Sequence, residues 1–275
     1  MTIVASWFEN DFAWMVSDSR LSNTDGNSTY PILDCGAKIF KVPIIVKAPV
    51  PPTFERKIIW KQDIGLAFAG SSLIALNVYS IISYALPNLL NIPGCCPRVS
   101  IRDIAEYIGR VIKHMVWDYG YNTGTFAPCV LFVLGKCYKE DKYKLFKIIP
   151  AYDAHVDINV EDLDLYKNKA VYLIGDHTPE IEKSIQDAYR NNTYSKQTPL
   201  RIVKKIVVDN CFETIGGGIQ LGMAKEQEFH KLLVTHKNEN QHDTLYYQNI
   251  DFLSDDFRQI GSCMIDGIGY HVEFD

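Results

Sequence analysis

Short apolar runs separated by polar turn residues open the chain. Ile3 to Phe8 and Phe12 to Val16 read as two strands, with Glu9-Asn10-Asp11 between them as a hairpin loop. Residues 23–30 are rich in turn formers, and Ala37 to Val42 reads as a third strand. Residues 43–63 break the alternation. Pro43, Pro49, Pro51 and Pro52 argue against a regular central strand and predict an irregular, partly extended insertion, closed by a strand over Lys57 to Trp60. Ile64 to Gly70 then reads as a buried strand ending in glycine.

Two helices follow. Ser71-Ser72 caps the first, with Leu73, Leu76, Ser80, Ile81 and Tyr84 as its expected inward positions. The second runs from a Ser100 cap to about Asp118, with Asp103 in its first turn. Ile104, Tyr107, Ile108, Val111, Ile112 and Met115 recur along it at helical spacing. Strands return over Cys129 to Leu134, Tyr143 to Ile149 and Val171 to Ile174. Helices over Pro179 to Tyr189 and Leu200 to Val208 come next, then a strand over Ile219 to Met223 behind three glycines. Short segments over Lys231 to Thr235 and Cys263 to Phe274 finish the chain.

Strand blocks alternating with helix pairs predict layered α+β architecture, not βαβ winding. The absence of repeats or a low-complexity linker predicts one domain with a C-terminal extension.

Composition narrows the function classes. Hydrophobic residues are 47% and charged residues 22% of the 275 positions, which is ordinary for a globular protein. The net charge of −5 is diffuse and shows no basic stripe, so nucleic acid is not an expected partner. The longest apolar-rich stretch, Ser71 to Ile92, is interrupted by Asn77, Pro87 and Asn88 and reads as a buried helix, not a membrane span. The N-terminus lacks the basic and apolar regions of a signal peptide, so a cytoplasmic location is expected. Seven cysteines without a C-x-x-C pair predict reduced thiols, not a disulfide scaffold or a zinc site.

The candidate chemistry sits at the start. Initiator methionine is generally removed when a small residue follows, and Thr2 is small. Removal would place a free α-amine beside the Thr2 hydroxyl. Such an amine titrates near pH 8, and it serves as the general base that a threonine hydroxyl needs.

On these residues the chain resembles the proteasome β subunits and the peptidase of the bacterial two-component ATP-dependent protease, which are N-terminal nucleophile hydrolases. The resemblance spans roughly residues 2–225. It rests on Thr2-Ile3-Val4 opening a strand, on Ser17-Asp18-Ser19-Arg20, on Ala37-Lys38-Ile39, and on Phe68-Ala69-Gly70-Ser71 before a long helix. The implied fold is a four-layer αββα sandwich of two antiparallel sheets flanked by helices. Residues 1–225 would form its core, with 43–63 as an insertion and 226–275 as an extension packed on the same domain.

The resemblance also implies roles. Thr2 is the nucleophile, Lys38 the cation that favours its neutral amine, and Asp18 the acid that orients Lys38. Gly70 offers the oxyanion N–H, and Arg20 positions the Asp18 loop. Two places depart from the family pattern. A Ser-bearing turn is replaced by Gly175-Asp176-His177-Thr178, where Asp176 becomes the expected acceptor for the terminal ammonium and His177 a surface or capping residue. A D-x-x-S-G-G element becomes Glu213-Thr214-Ile215-Gly216-Gly217-Gly218, with Glu213 in the acid's place and Gly216 in the serine's. The implied activity is a threonine-type amidohydrolase cleaving peptides or proteins. It would use no metal or organic cofactor and would work as a homo-oligomer, possible as a ring, with an ATPase as a possible partner. The alternatives are a transpeptidase or amide ligase, and a silent proteasome-like assembly or binding protein.

Overall fold

The computed structural model describes residues 2–25, 28–51, 55–152, 156–194, 196–237, 243–254, 256–260, 262–265 and 269–271. In chain order the strands and helices begin β1 (Ile3–Glu9), β2 (Phe12–Asp18), β3 (Leu21–Asp25), β4 (Ser28–Leu33), β5 (Ile39–Pro49), β6 (Arg56–Gly70), α1 (Ser72–Ala85), β7 (Leu89–Leu90) and α2 (Ile101–Thr123). They continue β8 (Cys129–Cys137), β9 (Lys142–Tyr152), β10 (Val156–Leu163), β11 (Val171–Gly175), α3 (Thr178–Arg190) and α4 (Thr198–Val208). The last are β12 (Ile219–Lys225), β13 (Glu228–Lys237), β14 (Asp243–Tyr247), β15 (Ile250–Asp251), β16 (Gln259–Ile260), β17 (Cys263–Met264) and β18 (Gly269–His271). The chain divides into two compact units, one of residues 1–39, 167–223 and 231–275, the other of residues 40–166 and 224–230.

The first unit carries a sheet ordered β11-β1-β2-β12-β13-β14-β15, with β18 joined to β13. β1 and β2 pair from Val4↔Ser17 to Glu9↔Phe12. The loop is therefore Asn10-Asp11, two residues at φ 53° and 64°, as the right-handed strand twist favours. Trp7 and Trp14 face each other across that ladder and stack with ring centroids 6.2 Å apart. Helices α3 and α4 pack on each other and on this sheet. Ile181, Ile185, Leu200 and Val203 meet Ile3, Ala5, Trp7 and Val16 in one apolar core.

The second unit carries a sheet ordered β10-β9-β8-β6-β5-β7, covered by α1 and α2. Ser100 and Asp103 form a reciprocal capping box at the start of α2, satisfying two of its free N–H groups. The helix buries Ile101, Ile104, Ala105, Ile108, Gly109, Ile112, Val116 and Gly120 and continues to Thr123. Gly109 permits its close approach to β10, because a Cβ there would meet Ile158 at 3.1 Å.

Three expectations are corrected here. Residues 43–49 belong to β5 and residues 56–63 to β6, two long strands, not to an irregular insertion. Pro43 is tolerated because, beyond β6, β5 pairs with β7 only at Val46 and Lys47, leaving Pro43 on an open edge. Residues Pro52 to Phe54 lie outside the described residues. On α1 the buried face is Ile74, Ala75, Val78 and Ile82, whereas Leu73, Leu76 and Tyr84 are exposed. That helix is apolar around most of its circumference, so periodicity does not fix its face. Residues 23–25 and 28–30 pair with each other in the β3–β4 hairpin. Of the segment expected over Cys263 to Phe274, the structure holds β17 and β18, and the remainder falls partly outside the described residues.

Candidate active site

Asp18 ends β2 with its side chain fully buried and four hydrogen bonds aimed at it. Oδ1 accepts from Lys38 Nζ at 2.7 Å and from the Ile3 N–H at 3.1 Å. Oδ2 accepts from the Gly216 N–H at 3.1 Å and the Arg20 N–H at 3.2 Å. Lys38 sits just before β5 and is equally buried. A single carboxylate oxygen thus joins the lysine ammonium to the backbone of the residue after Thr2.

Burial and partners pull in opposite directions on this pair. Burial is the larger influence on both: it pushes Asp18 above the usual carboxylate value and Lys38 below the usual lysine value. The Lys38 ammonium and the Gly216 and Ile3 N–H groups lower Asp18, while the charges of Asp18 and Asp176 raise Lys38 and that of Arg20 lowers it.

Gln220, on β12, fixes the backbone of both partners and was not among the candidates read from the sequence. Its Oε1 accepts from the N–H groups of Lys38 at 2.9 Å and Ile39 at 3.2 Å. Its Nε2 donates to the carbonyls of Asp18 at 3.2 Å and Gly36 at 2.9 Å. The available signal was a polar side chain between Ile219 and Leu221, in a strand whose neighbours are buried.

Next to Asp18 the chain turns away from β2 onto the glycine run. The N–H groups of Ser19 and Arg20 both donate to the Gly216 carbonyl. Ser19 Oγ donates to the Asp34 carbonyl at 2.6 Å and accepts from the Gly218 N–H at 2.7 Å. Gly217, at φ +74°, has no room for a Cβ, which would lie 2.2 Å from the Asp34 carbonyl oxygen. Arg20 pairs with Asp34 at 2.7 Å and donates to the Glu213 carbonyl at 3.3 Å. Its guanidinium occupies the space beside Gly216, where a Cβ would come within 2.4 Å of it. A serine at 216 is therefore incompatible with Arg20 in this position.

Thr2 is buried and held from β11. The Asp176 N–H donates to the Thr2 carbonyl at 2.8 Å. Gly175, at φ +116° and opposite Ile3, must be glycine, because a Cβ would collide with that same carbonyl. One buried oxygen of the Asp176 carboxylate, Oδ2, has no hydrogen-bond partner among the described residues. His177 follows at φ 53°, at the start of α3, and stacks on Phe212 with centroids 3.9 Å apart.

The first unit therefore brings together Thr2, Asp18, Lys38 and Asp176. Glu213 is exposed, and the bond it makes to this network is through its main-chain carbonyl. Gly70 lies in the second unit, at φ +102° at the end of β6, where a Cβ would meet the Pro128 carbonyl oxygen at 2.2 Å. Among the described residues, no three His, Cys, Asp or Glu side chains group so as to hold a metal ion. No described helix is long and apolar enough to cross a membrane.

No family model and no curated protein matches the chain. Solved structures do. The ancestral beta-subunit Anbu from Yersinia bercovieri superposes with a TM-score of 0.51 at 14% identity, over 84% of this chain and 87% of that one. The Anbu (Gly-1) mutant from Hyphomicrobium sp. strain MC1 gives 0.53 at 14% identity, over 94% and 90%. The fold is that of Anbu. The Anbu helical assembly from Pseudomonas aeruginosa gives 0.50 at 15% identity, over 80% of each chain. The α+β architecture expected from the sequence thus holds, and at these identities the likeness to Anbu speaks for the fold alone.

Proposed function

We propose that the chain is a threonine-type N-terminal nucleophile hydrolase acting on peptide amide bonds. After removal of Met1, the neutral α-amine of Thr2 takes the hydroxyl proton as Oγ attacks the amide carbonyl. Lys38 favours the neutral amine, and Asp18 holds Lys38 in place. The oxyanion donor is assigned to the Gly70 N–H by resemblance alone. The amine then returns its proton to the leaving amine, and water, activated by the same group, releases the acyl product.

The observation that carries this reading is the Asp18 oxygen shared by the Lys38 ammonium and the Ile3 N–H. Asp176 supports it: the residue that binds the Thr2 carbonyl also has a buried oxygen lacking a partner. A freed α-amine is a donor of the kind that oxygen lacks. A homo-oligomer is part of the proposal, in keeping with the assembly named for the Pseudomonas protein. So are a cytoplasmic location and a possible ATPase partner.

The test is turnover of a panel of fluorogenic peptides by the wild type and by Thr2→Ala, with and without an added amine acceptor. Hydrolysis that Thr2→Ala abolishes supports the reading. A joined product in the presence of amine would reassign the protein as a transpeptidase. One observation favours a silent assembly protein instead: Gly216 supplies no hydroxyl where the active family pattern has serine, and Arg20 fills the space. That reading expects no turnover from either form.

A further inference from the structure

Away from this network, the second unit carries an exposed turn with two adjacent thiols. Cys95 and Cys96 lie between β7 and α2 in Pro93-Gly94-Cys95-Cys96-Pro97, and both are exposed free cysteines. Neither belongs to a strand, where neighbouring side chains would point to opposite faces. Instead both line one groove of about 350 Å³. The rest of that groove is mainly apolar and includes Leu86, Leu89, Ile92, Ile104 and Tyr107.

The turn is anchored on both sides. The Asn91 N–H donates to the Lys47 carbonyl at 2.8 Å and the Cys95 N–H to the Ile92 carbonyl at 3.0 Å. Beyond the turn, Ser100 is locked in the capping box of α2. Pro93 and Pro97 restrict the backbone on either side of the pair. Cys129 and Cys137 are buried, and no other two cysteines adjoin in the sequence.

We propose that Cys95 and Cys96 form a dithiol site for a trivalent, thiophilic arsenical bearing an apolar substituent, with the substituent seated in the groove. Thiolate sulfur is a soft ligand and prefers soft centres. Two sulfurs on adjacent residues close a small chelate ring, so the second bond forms at high effective concentration and with little loss of chain freedom. With an aryl arsenoxide the step is a condensation without redox change. The two S–H bonds are exchanged for two As–S bonds, and the arsenic-bound oxygen leaves as water with both protons. The site is independent of the Thr2 chemistry.

The test uses the full chain and phenylarsine oxide, followed by washing with excess glutathione, a monothiol that strips singly attached arsenic. Intact mass spectrometry should show one aryl-arsenic per chain retained by the wild type and by Thr2→Ala. Peptide mapping should place it on residues 95 and 96. Cys95→Ser and Cys96→Ser should each reduce retention by at least roughly tenfold. Both positions are exposed, and matching thermal melts would show that the variants fold. Inorganic arsenite should be held at least about tenfold less tightly than the aryl compound, because it leaves the groove unfilled. Full retention in either single variant, or mapping to Cys211 or Cys263, would overturn the dithiol site. Equal retention of arsenite and the aryl compound would overturn the role of the groove.

Discussion

Lys38 and Asp18 form an ion pair 2.7 Å long with both side chains fully excluded from solvent. Three backbone N–H groups also bind the carboxylate, and one of them belongs to Ile3. Such a pair is costly to break from one side, and the two sides are unequal. Asp18→Asn leaves a buried ammonium without its counter-charge and should cost about 3–5 kcal/mol. Lys38→Met leaves the carboxylate with its three N–H donors and should cost less. Urea denaturation of the two variants reads the difference directly, and equal losses would show that the N–H donors do not support the charge.

Gln220→Leu should destabilise the protein by about 2–4 kcal/mol. It removes the acceptor of the Lys38 and Ile39 N–H groups and the donor to the Asp18 and Gly36 carbonyls, and each buried group left unpaired costs about 1–3 kcal/mol. Denaturant midpoints provide the measurement. A change below about 0.5 kcal/mol would place the variant among neutral surface substitutions and remove Gln220 from the framework of the site.

Gly216→Ala should cost about 1–3 kcal/mol in the wild type, since the added carbon must displace the Arg20 guanidinium. In an Arg20→Ala background the cost should shrink. A double-mutant cycle in thermal or urea unfolding gives the coupling. An unchanged cost would mean that Arg20 is not what keeps serine out of this position.

The fold was legible where one local signal had one physical solution. Ser100 with Asp103 specified a helix start, and Asn10-Asp11 sat where the hairpin reverses. The signal was ambiguous on α1, whose apolar residues surround most of the helix. It misleads over 43–63, because the prolines do not reveal that β5 has an open edge. The region Val156–Leu163 was not read as a strand, although its apolar and polar residues largely alternate. At the site, Asp18 and Lys38 stood in short sequence motifs. Gln220 did not, because its role depends on segments 182 and 202 positions away meeting at one amide.

Activity should rise with pH through the titration of the Thr2 amine, whose ordinary value is about 8. Asp176 supplies a negative charge close enough to act on Lys38, and its N–H binds the Thr2 carbonyl. That charge would stabilise an ammonium at residue 2. Asp176→Asn should therefore move the acidic limb of the pH–rate profile to lower pH. A limb that moves upward or stays in place would separate Asp176 from the amine.

Lys204 tests a different part of the first unit. It is fully buried on α4, and burial, then the charge of Arg201, lowers its pKa from 10.5 to about 8. Between these values the unfolded chain binds more protons than the folded one, so stability rises with pH across that window. Below about 8 both states are protonated and the cost of burying the charge is fully present. Lys204→Met removes that pH-dependent cost, so its stability relative to the wild type should be greater at pH 7 than at pH 10. Urea melts at pH 7 and 10 check both the sign and the trend.

The central claim is most directly tested by intact mass spectrometry of the purified protein before and after exposure to a peptide epoxyketone, which reacts with an N-terminal amine and its neighbouring hydroxyl together. The expected result is a wild-type mass lacking Met1, a single adduct mapped to Thr2, and no adduct on Thr2→Ala. A protein that keeps its methionine and takes no label would contradict it.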